Sequence, residues 1–324
     1  MRFMRASNRS HWQHNDNVGF HLKNAATLSN QWDPLLCFML KQKKHSEEFR
    51  REAVELKRAP AVTVTIAAYD RLEFLREAIQ SATAQSYRPL EILVVNDGSG
   101  PDVRNWLDMM ATKESLLRVI HLPHSGVATA RKATLEAANG DLVCVLDSDD
   151  WFVPGAIERL VKVFLDDGSV DLAYCNNIHV YPDGSKRHRK YPAHSRNKDM
   201  VNAIFIRPVV PFKHSGTMFR RDVALELGGY DPSLPVKVDV DLFLRFLNAG
   251  KHLHLVEEPL VHFRLHGGSI SHRNRIEGIR VWRQLIDRYA GHRPAHIRYL
   301  LRSMRGLMEL GKLVYAAVLL RKPR

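Results

Sequence analysis

Apolar and polar residues alternate through Val62-Thr63-Val64-Thr65-Ile66, directly after Ala59-Pro60, and a period of two predicts a β-strand. Leu72, Leu75, Ile79 and Ala82 then recur at steps of three and four. That is an amphipathic helix, and it must end near Tyr87-Arg88-Pro89 because the residue before a proline is disfavoured in helical dihedrals. Ile92-Leu93-Val94-Val95 is a continuous apolar run between Pro89 and the turn residues Asn96-Asp97-Gly98-Ser99, the pattern of a strand buried on both faces. The rhythm repeats. A helix near 102–111 precedes a strand over Arg118–Leu122, a helix near 127–138 stops at Asn139-Gly140, and Leu142–Leu146 forms the next strand. Strand alternating with helix predicts an α/β fold: an open, mostly parallel sheet flanked by helices, with right-handed crossovers.

Beyond residue 150 the period is less regular. A helix near 154–165, a strand near 170–174 and a hairpin-like turn at Pro182-Asp183-Gly184-Ser185 are expected. A helix from Asp239 to Ala249 carries Leu242, Phe243, Phe246 and Leu247 on its apolar face and stops at Gly250. Residues 1–58 show no strand alternation, and their charged run Lys41–Arg58 has helical character. Three segments follow: an N-terminal, partly helical extension over 1–58, a central α/β domain over 59–272, and a helical C-terminal extension over 273–324.

Charge separates the same segments. The formal net charge is +13, yet residues 59–272 hold 24 basic and 26 acidic groups, while 1–58 hold 11 and 6 and 273–324 hold 13 and 3. In the last segment Ile297, Leu300, Leu301, Met304, Met308 and Tyr315 fall at helical spacing among Arg298, Arg302, Arg305 and Lys312. Such a basic amphipathic helix can lie on anionic lipid or pack on the central domain, and both readings stay open. Sparse aromatic residues and the lack of a recognition motif argue against nucleic acid. Cys37, Cys144 and Cys175 have neither metal-ligand spacing nor an even count, which fits a reducing compartment. No apolar leader core follows the N-terminal basic residues, and Leu313–Leu320 is far shorter than the roughly 20 residues that span a bilayer. The expected location is cytoplasmic, peripheral at the inner face of the membrane if the tail binds lipid.

Ligands of open parallel sheets bind beyond the carboxyl ends of the strands. The residues there are Ala67-Ala68-Tyr69-Asp70, Asn96-Asp97-Gly98-Ser99 and Asp147-Ser148-Asp149-Asp150. Three carboxylate-bearing loops on one edge repel each other unless a cation or hydrogen-bond donor neutralises them. Asp147 and Asp149, two apart at a strand end, can point the same way and share Mg²⁺ or Mn²⁺, which favour hard oxygens together with phosphate. The plainer alternative is an acidic turn capping the next helix.

From Val64 to Asp70, Ser81 to Ser99, Gly126 to Arg131, Leu146 to Asp150, Gly228 to Asp231, Asp239 to Leu242 and Arg264 to Ser271, the chain resembles the family 2 glycosyltransferases of the GT-A fold, over residues 61–272. The resemblance implies a metal-dependent, inverting transferase, using Mn²⁺ or Mg²⁺, that moves a sugar from a nucleotide-diphosphate sugar to an acceptor hydroxyl. UDP is the nucleotide it favours. The acceptor it favours is saccharide or lipid-linked, in cell-surface polysaccharide or glycolipid synthesis. It implies a nucleotide site formed by Ala67, Tyr69, Asp97, Arg131, Asp147, Ser148 and His266. Tyr69 would pack on the base or ribose, Asp97 would accept the base N–H, and Arg131 would hold the nucleotide or order the carboxylates. Asp149 would ligate the metal, with Asp147 and His266 as further ligands, and Asp239 would be the general base. Family members often carry a glutamate before that base, where this chain has Val238. Asp241 is a rival whose position suits a helix cap.

Two other classes are weighed. A nucleotidyltransferase would need a Gly-rich basic loop after the first strand, where the chain reads Ala-Ala-Tyr-Asp-Arg-Leu. A catalytically silent sugar-nucleotide-binding protein is hinted at only by Val238. Dehydrogenase and P-loop readings fail because neither glycine fingerprint occurs.

Overall fold

A computed structural model of the chain describes residues 59–266 and 275–320, with side chains of the second stretch over 276–312. The predicted N-terminal extension, Cys37 and residues 267–271 of the last family-like motif lie outside the described residues. The elements are β1 (Val62–Ala68), α1 (Leu72–Thr83), β2 (Leu90–Asp97), α2 (Pro101–Lys113), β3 (Leu117–Leu122), α3 (Val127–Ala137), β4 (Leu142–Val145), β5 (Trp151–Phe152), α4 (Ala156–Asp166), β6 (Val170–Val180), β7 (Lys186–Arg189), α5 (Asn197–Ile206), β8 (Met218–Arg220), α6 (Arg221–Glu226), α7 (Val238–Asn248), β9 (His252–Arg264), α8 (Arg275–Ala290) and α9 (Ala295–Leu320).

The strands form one sheet in the order β3-β2-β1-β4-β8-β6-β9-β5, with β7 paired to β6. β1 lies parallel to β2 and β4, and β2 parallel to β3, so the first half is the parallel unit the sequence predicts. β8 runs antiparallel between β4 and β6, and β9 returns parallel to β6. The expected strand near 170–174 is longer, 11 residues, because it continues into the β6–β7 hairpin around Pro182-Asp183-Gly184-Ser185. Its register shifts against β9 at three places, which breaks the period that sequence reading relies on.

One core lies between the sheet and α1, α2 and α4, around Leu75, Ile79, Leu107, Ile157 and Leu160. The other joins α3, α5, α7 and α8, around Leu135, Phe205, Phe243, Phe246 and Trp282. β1 is therefore covered on both faces, although its Val-Thr alternation suggests one wet face. Thr63 and Thr65 are buried. The Thr63 hydroxyl donates to Glu91 Oε2 (2.7 Å) and accepts the Gly140 N–H (2.8 Å), so its burial leaves no polar group unpaired. Gly140 is needed there because a Cβ would meet Thr63 N at 2.5 Å.

Of the two readings of the C-terminal segment, its inner face packs on the central domain. Leu301, Arg305 and Glu309 of α9 are buried. The Arg305 guanidinium stacks on Trp282 at 3.8 Å and donates from Nε to the Phe205 carbonyl on α5 (2.9 Å). Glu309 accepts from Trp282 Nε1 (3.2 Å) and pairs with Lys237 Nζ (3.6 Å), the residue that precedes α7. The outer face leaves Tyr299, Leu300, Leu307 and Leu310 exposed. Among the described residues no helix is long and apolar enough to cross a membrane.

Candidate active site

The carboxyl ends of β1, β2 and β4 carry the loops singled out in the sequence, and hydrogen bonds tie those loops together. The Asp70 N–H donates to Ser99 Oγ (2.8 Å), and the Gly100 N–H donates back to Asp70 Oδ1 (3.2 Å). Asp70 and Arg71 hold φ of 54° and 56°, and Lys237 holds 59°. These three are the non-glycine residues in the left-handed region among the described residues, and they flank Tyr69 and Asp239. Such conformations cost about 1–3 kcal/mol each and persist only where surrounding contacts over-determine them.

Tyr69 stands half-exposed on its loop, its ring 4.2 Å from that of His124, with Ala67 at the strand end behind it. Asp97 is buried, and both its carboxylate oxygens are engaged: Oδ1 accepts the Ser125 N–H (2.7 Å) and Oδ2 the Gly126 N–H (2.9 Å). The carboxylate expected to accept a base N–H thus also caps the start of α3. Gly98, at φ +75°, allows the approach, since a Cβ there would meet His124 N at 2.5 Å.

The four residues Asp147-Ser148-Asp149-Asp150 hold three carboxylates, each handled differently. Asp147 Oδ1 accepts from Arg131 Nη2 at 2.6 Å, which brings α3 to the end of β4. Burial opposes ionisation of Asp147, but the Arg131 charge and His214 hold its carboxyl well below the usual range. Asp149 Oδ2 lies 2.9 Å from His266 Nε2 and 3.5 Å from Arg71 Nη1. Asp150 is buried, and burial followed by the charges of Asp149 and Asp147 raises its pKa well above the ordinary value. It accepts from the Ser215 hydroxyl and from the Arg264 N–H (2.9 Å). Arg264 lies between Phe74 (4.4 Å) and Trp151 (4.5 Å) and donates from Nε to the Asp149 carbonyl (3.0 Å), which fixes the approach of His266 two residues later.

Asp239 sits in the first turn of α7, and its charge acts on Arg131, Lys213, His214 and Tyr230. Arg131 and His214 thus feel both Asp239 and Asp147. Asp241 is not a helix cap. It is fully buried, accepts from Arg245, Arg288 Nη1 (2.8 Å) and the Tyr289 hydroxyl (2.7 Å), and so fastens α7 to α8. Val238 points into the core.

Sequence reading did not pick out Lys213, His214 and Ser215. Buried His214 faces the Tyr230 hydroxyl through Nε2 (2.9 Å) and Asp147 Oδ1 through Nδ1 (3.5 Å). Ser215 Oγ also accepts the Asp147 N–H (3.0 Å). They precede β8, whose three residues are too few to show a period, and that left the segment without a signal.

The surrounding histidines give the fold an acid sensitivity. Burial, then Lys213 and Arg189, pushes His179 down from 6.5 to about 4, and burial lowers His194, His214 and His262 in the same direction. A histidine with a depressed folded pKa stabilises above its unfolded pKa and loses that contribution as pH falls toward the folded one. The denaturant midpoint is expected to drop between pH 6.5 and 4, and His179→Asn should flatten that slope. A midpoint constant across the window would contradict this.

An open, largely parallel sheet with acidic loops at one edge and an antiparallel second half is the architecture of the GT-A glycosyltransferases. Two solved structures share the fold. S. aureus TarS 1-349 in complex with UDP-GlcNAc aligns at TM-score 0.56 and 15% identity, over 81% of this chain and 76% of that one. The mannosyltransferase PcManGT from Pyrobaculum calidifontis, in complex with GDP-Man and Mn²⁺, aligns at 0.55 and 18%, over 84% and 80%. Residues 63–228 match the model of glycosyl transferase family 2, and the chain belongs to that family. A chondroitin synthase of Pasteurella multocida is 30% identical over 226 residues, and a hyaluronan synthase of the same species 30% over 206. Those matches take in 69% and 63% of this chain but span only 22% and 20% of the two synthases. EpsH of Bacillus subtilis, a putative glycosyltransferase by name, is 27% identical over 66% of this chain and 63% of its own length.

Proposed function

We propose that this glycosyltransferase moves a sugar from a nucleotide-diphosphate sugar, UDP-linked in the first instance, to an acceptor hydroxyl with inversion at the anomeric carbon. The reading is supported by Tyr69, Asp147 and Asp149 on the loops that follow β1 and β4, with Arg131 bonded to Asp147 at 2.6 Å and within electrostatic reach of Asp239. Tyr69 offers an exposed ring face to the base or ribose, beside Asp97 and Ala67. Asp239 takes the acceptor proton as the acceptor oxygen bonds to the anomeric carbon. The bond from that carbon to the diphosphate oxygen breaks, and its electrons leave with the nucleotide.

The residues fit a divalent cation of the Mn²⁺ or Mg²⁺ kind. Among the described residues no three His, Cys, Asp or Glu side chains are grouped to hold a metal by themselves. Asp149 Oδ2 and His266 Nε2 are in hydrogen-bond contact at 2.9 Å, a hard oxygen and an imidazole nitrogen that an ion could bridge in place of the shared proton. Asp149 and His266, with Asp147 nearby, would therefore hold the ion, and diphosphate oxygens and water would complete its shell. Bound there, it would act as a Lewis acid toward the departing diphosphate. The names of the polysaccharide synthase relatives support a saccharide acceptor in cell-surface polymer synthesis. The exposed Tyr299, Leu300, Leu307 and Leu310 support peripheral lipid contact through the outer face of α9.

Incubation with UDP-GlcNAc, UDP-glucose and GDP-mannose in Mn²⁺ tests the reading. Nucleotide release from one donor class, abolished by EDTA, is expected. Release from none of them would favour the catalytically silent binding protein.

A further inference from the structure

A cavity of about 450 Å³ opens between segments 189–192 and 207–211, away from the loops assigned to the donor. That is within the usual range of small-molecule sites. Its floor is apolar, with Tyr191, Pro192, Pro208 and Pro211, and its cations are Arg189, Lys190 and Arg207. No acidic residue lines it. None of the three cations has an acidic partner among the described residues. The wall is fixed: the Tyr191 N–H donates to Asn176 Oδ1 (2.7 Å), and Asn176 is tied in turn to the Glu257 carbonyl. The three prolines restrict the backbone further.

β7 leads into this cavity as Lys186-Arg187-His188-Arg189, followed by Lys190, and every residue of the strand is exposed. Residues two apart on a strand share a face roughly 7 Å apart, so Arg187 and Arg189 lie on one face of the ribbon and Lys186 and His188 on the other. This is not general basicity, because residues 59–272 carry 24 basic against 26 acidic groups. The chain links this cavity to the acidic turn, since Pro211 lines the cavity and His214, three residues on, lies 3.5 Å from Asp147 Oδ1. The Arg189 charge acts on Lys213, which in turn feels Asp150, Asp239 and Asp147.

We propose that the acceptor is an anionic saccharide, whose phosphate or carboxylate groups are held by Arg189, Lys190 and Arg207 while its sugar rings pack on Pro192, Pro208 and Val209. The proposal rests on the donor and base assignments above and adds the chemical class of the acceptor. Guanidinium forks suit planar or tetrahedral oxyanions, and an apolar floor suits the C–H faces of a sugar ring. The anion comes with the acceptor chain, so these cations contribute to acceptor binding and not to the departing diphosphate.

Binding to the full chain is measured in the presence of UDP and Mn²⁺ with three oligomers of equal length. One alternates hexuronic acid and hexosamine, one is a phosphodiester-linked polyol, and one is a neutral glucan. At least one charged oligomer should bind about tenfold or more tighter than the glucan, and the arm that does so tells carboxylate from phosphate. Arg189→Ala/Arg207→Ala should remove that preference and leave UDP affinity unchanged. Arg104→Ala/Lys113→Ala, which takes the same charge from α2, should keep it. Equal binding of glucan and charged oligomers, no binding of any of them, or equal losses in the two double variants would overturn the proposal. Failure of the wild-type chain to bind UDP would instead sink the donor-site reading, whatever the anions do.

Discussion

Replacing Asp239 with Asn is expected to lower the turnover of transfer by about three orders of magnitude while UDP affinity stays within about twofold. The amide keeps the shape of the carboxylate but cannot accept the acceptor proton. The proposed donor contacts lie elsewhere, on Tyr69, Asp97 and the Asp147–Asp149 turn. Asp241, two residues on, cannot take over, because Arg245, Arg288 and Tyr289 occupy it inside the protein. Asp241→Asn should therefore lower stability first and affect transfer only through folding. Steady-state kinetics with thermal melts of both variants separate the roles, and an Asp239→Asn enzyme with ordinary turnover would move the base elsewhere.

Deleting residues 295–324 is expected to prevent the domain from folding. It removes buried Leu301, Arg305 and Glu309 and uncovers Trp282. Burying one large apolar side chain contributes about 1.5–3 kcal/mol, and the deletion undoes the burial of Leu301, Trp282 and the apolar stems of Arg305 and Glu309 at once. Together these approach the whole stability of an ordinary domain, about 5–15 kcal/mol. The milder Glu309→Gln should lower the melting temperature by leaving Lys237 without its counter-charge next to α7. The outer face should behave oppositely. Leu307→Ser/Leu310→Ser should melt as the wild type does, yet bind anionic vesicles more weakly. A soluble, cooperatively folded deletion would refute the packing role, and unchanged vesicle binding would refute the lipid contact.

The fold was legible where each strand is short, parallel and bounded by turn residues. β1, β2 and β4 and the helices between them follow from period and punctuation alone. The antiparallel half was less so: β8 has three residues, and β6 and β9 slip register, so neither gives a sustained period. Thr63 shows a second limit, since alternation marks a polar face but not whether another element covers it. At the site, the carboxylates on strand ends could be read because the topology puts them on one edge. Their partners could not. His214 and Ser215 reach Asp147 and Asp150 only because β8 inserts beside β4, a long-range pairing that no local pattern encodes. Asp241 looked like a cap because its burial depends on α8, far along the chain.

A metal-assisted nucleotide-sugar site is proposed at the Asp147–Asp149 turn. Calorimetric titration of the chain with UDP, with and without Mn²⁺, and the same titration of Asp149→Ala, tests it most directly. Tight binding that requires Mn²⁺ and disappears in the variant is the expected result. Binding that ignores both the ion and the substitution would contradict the claim.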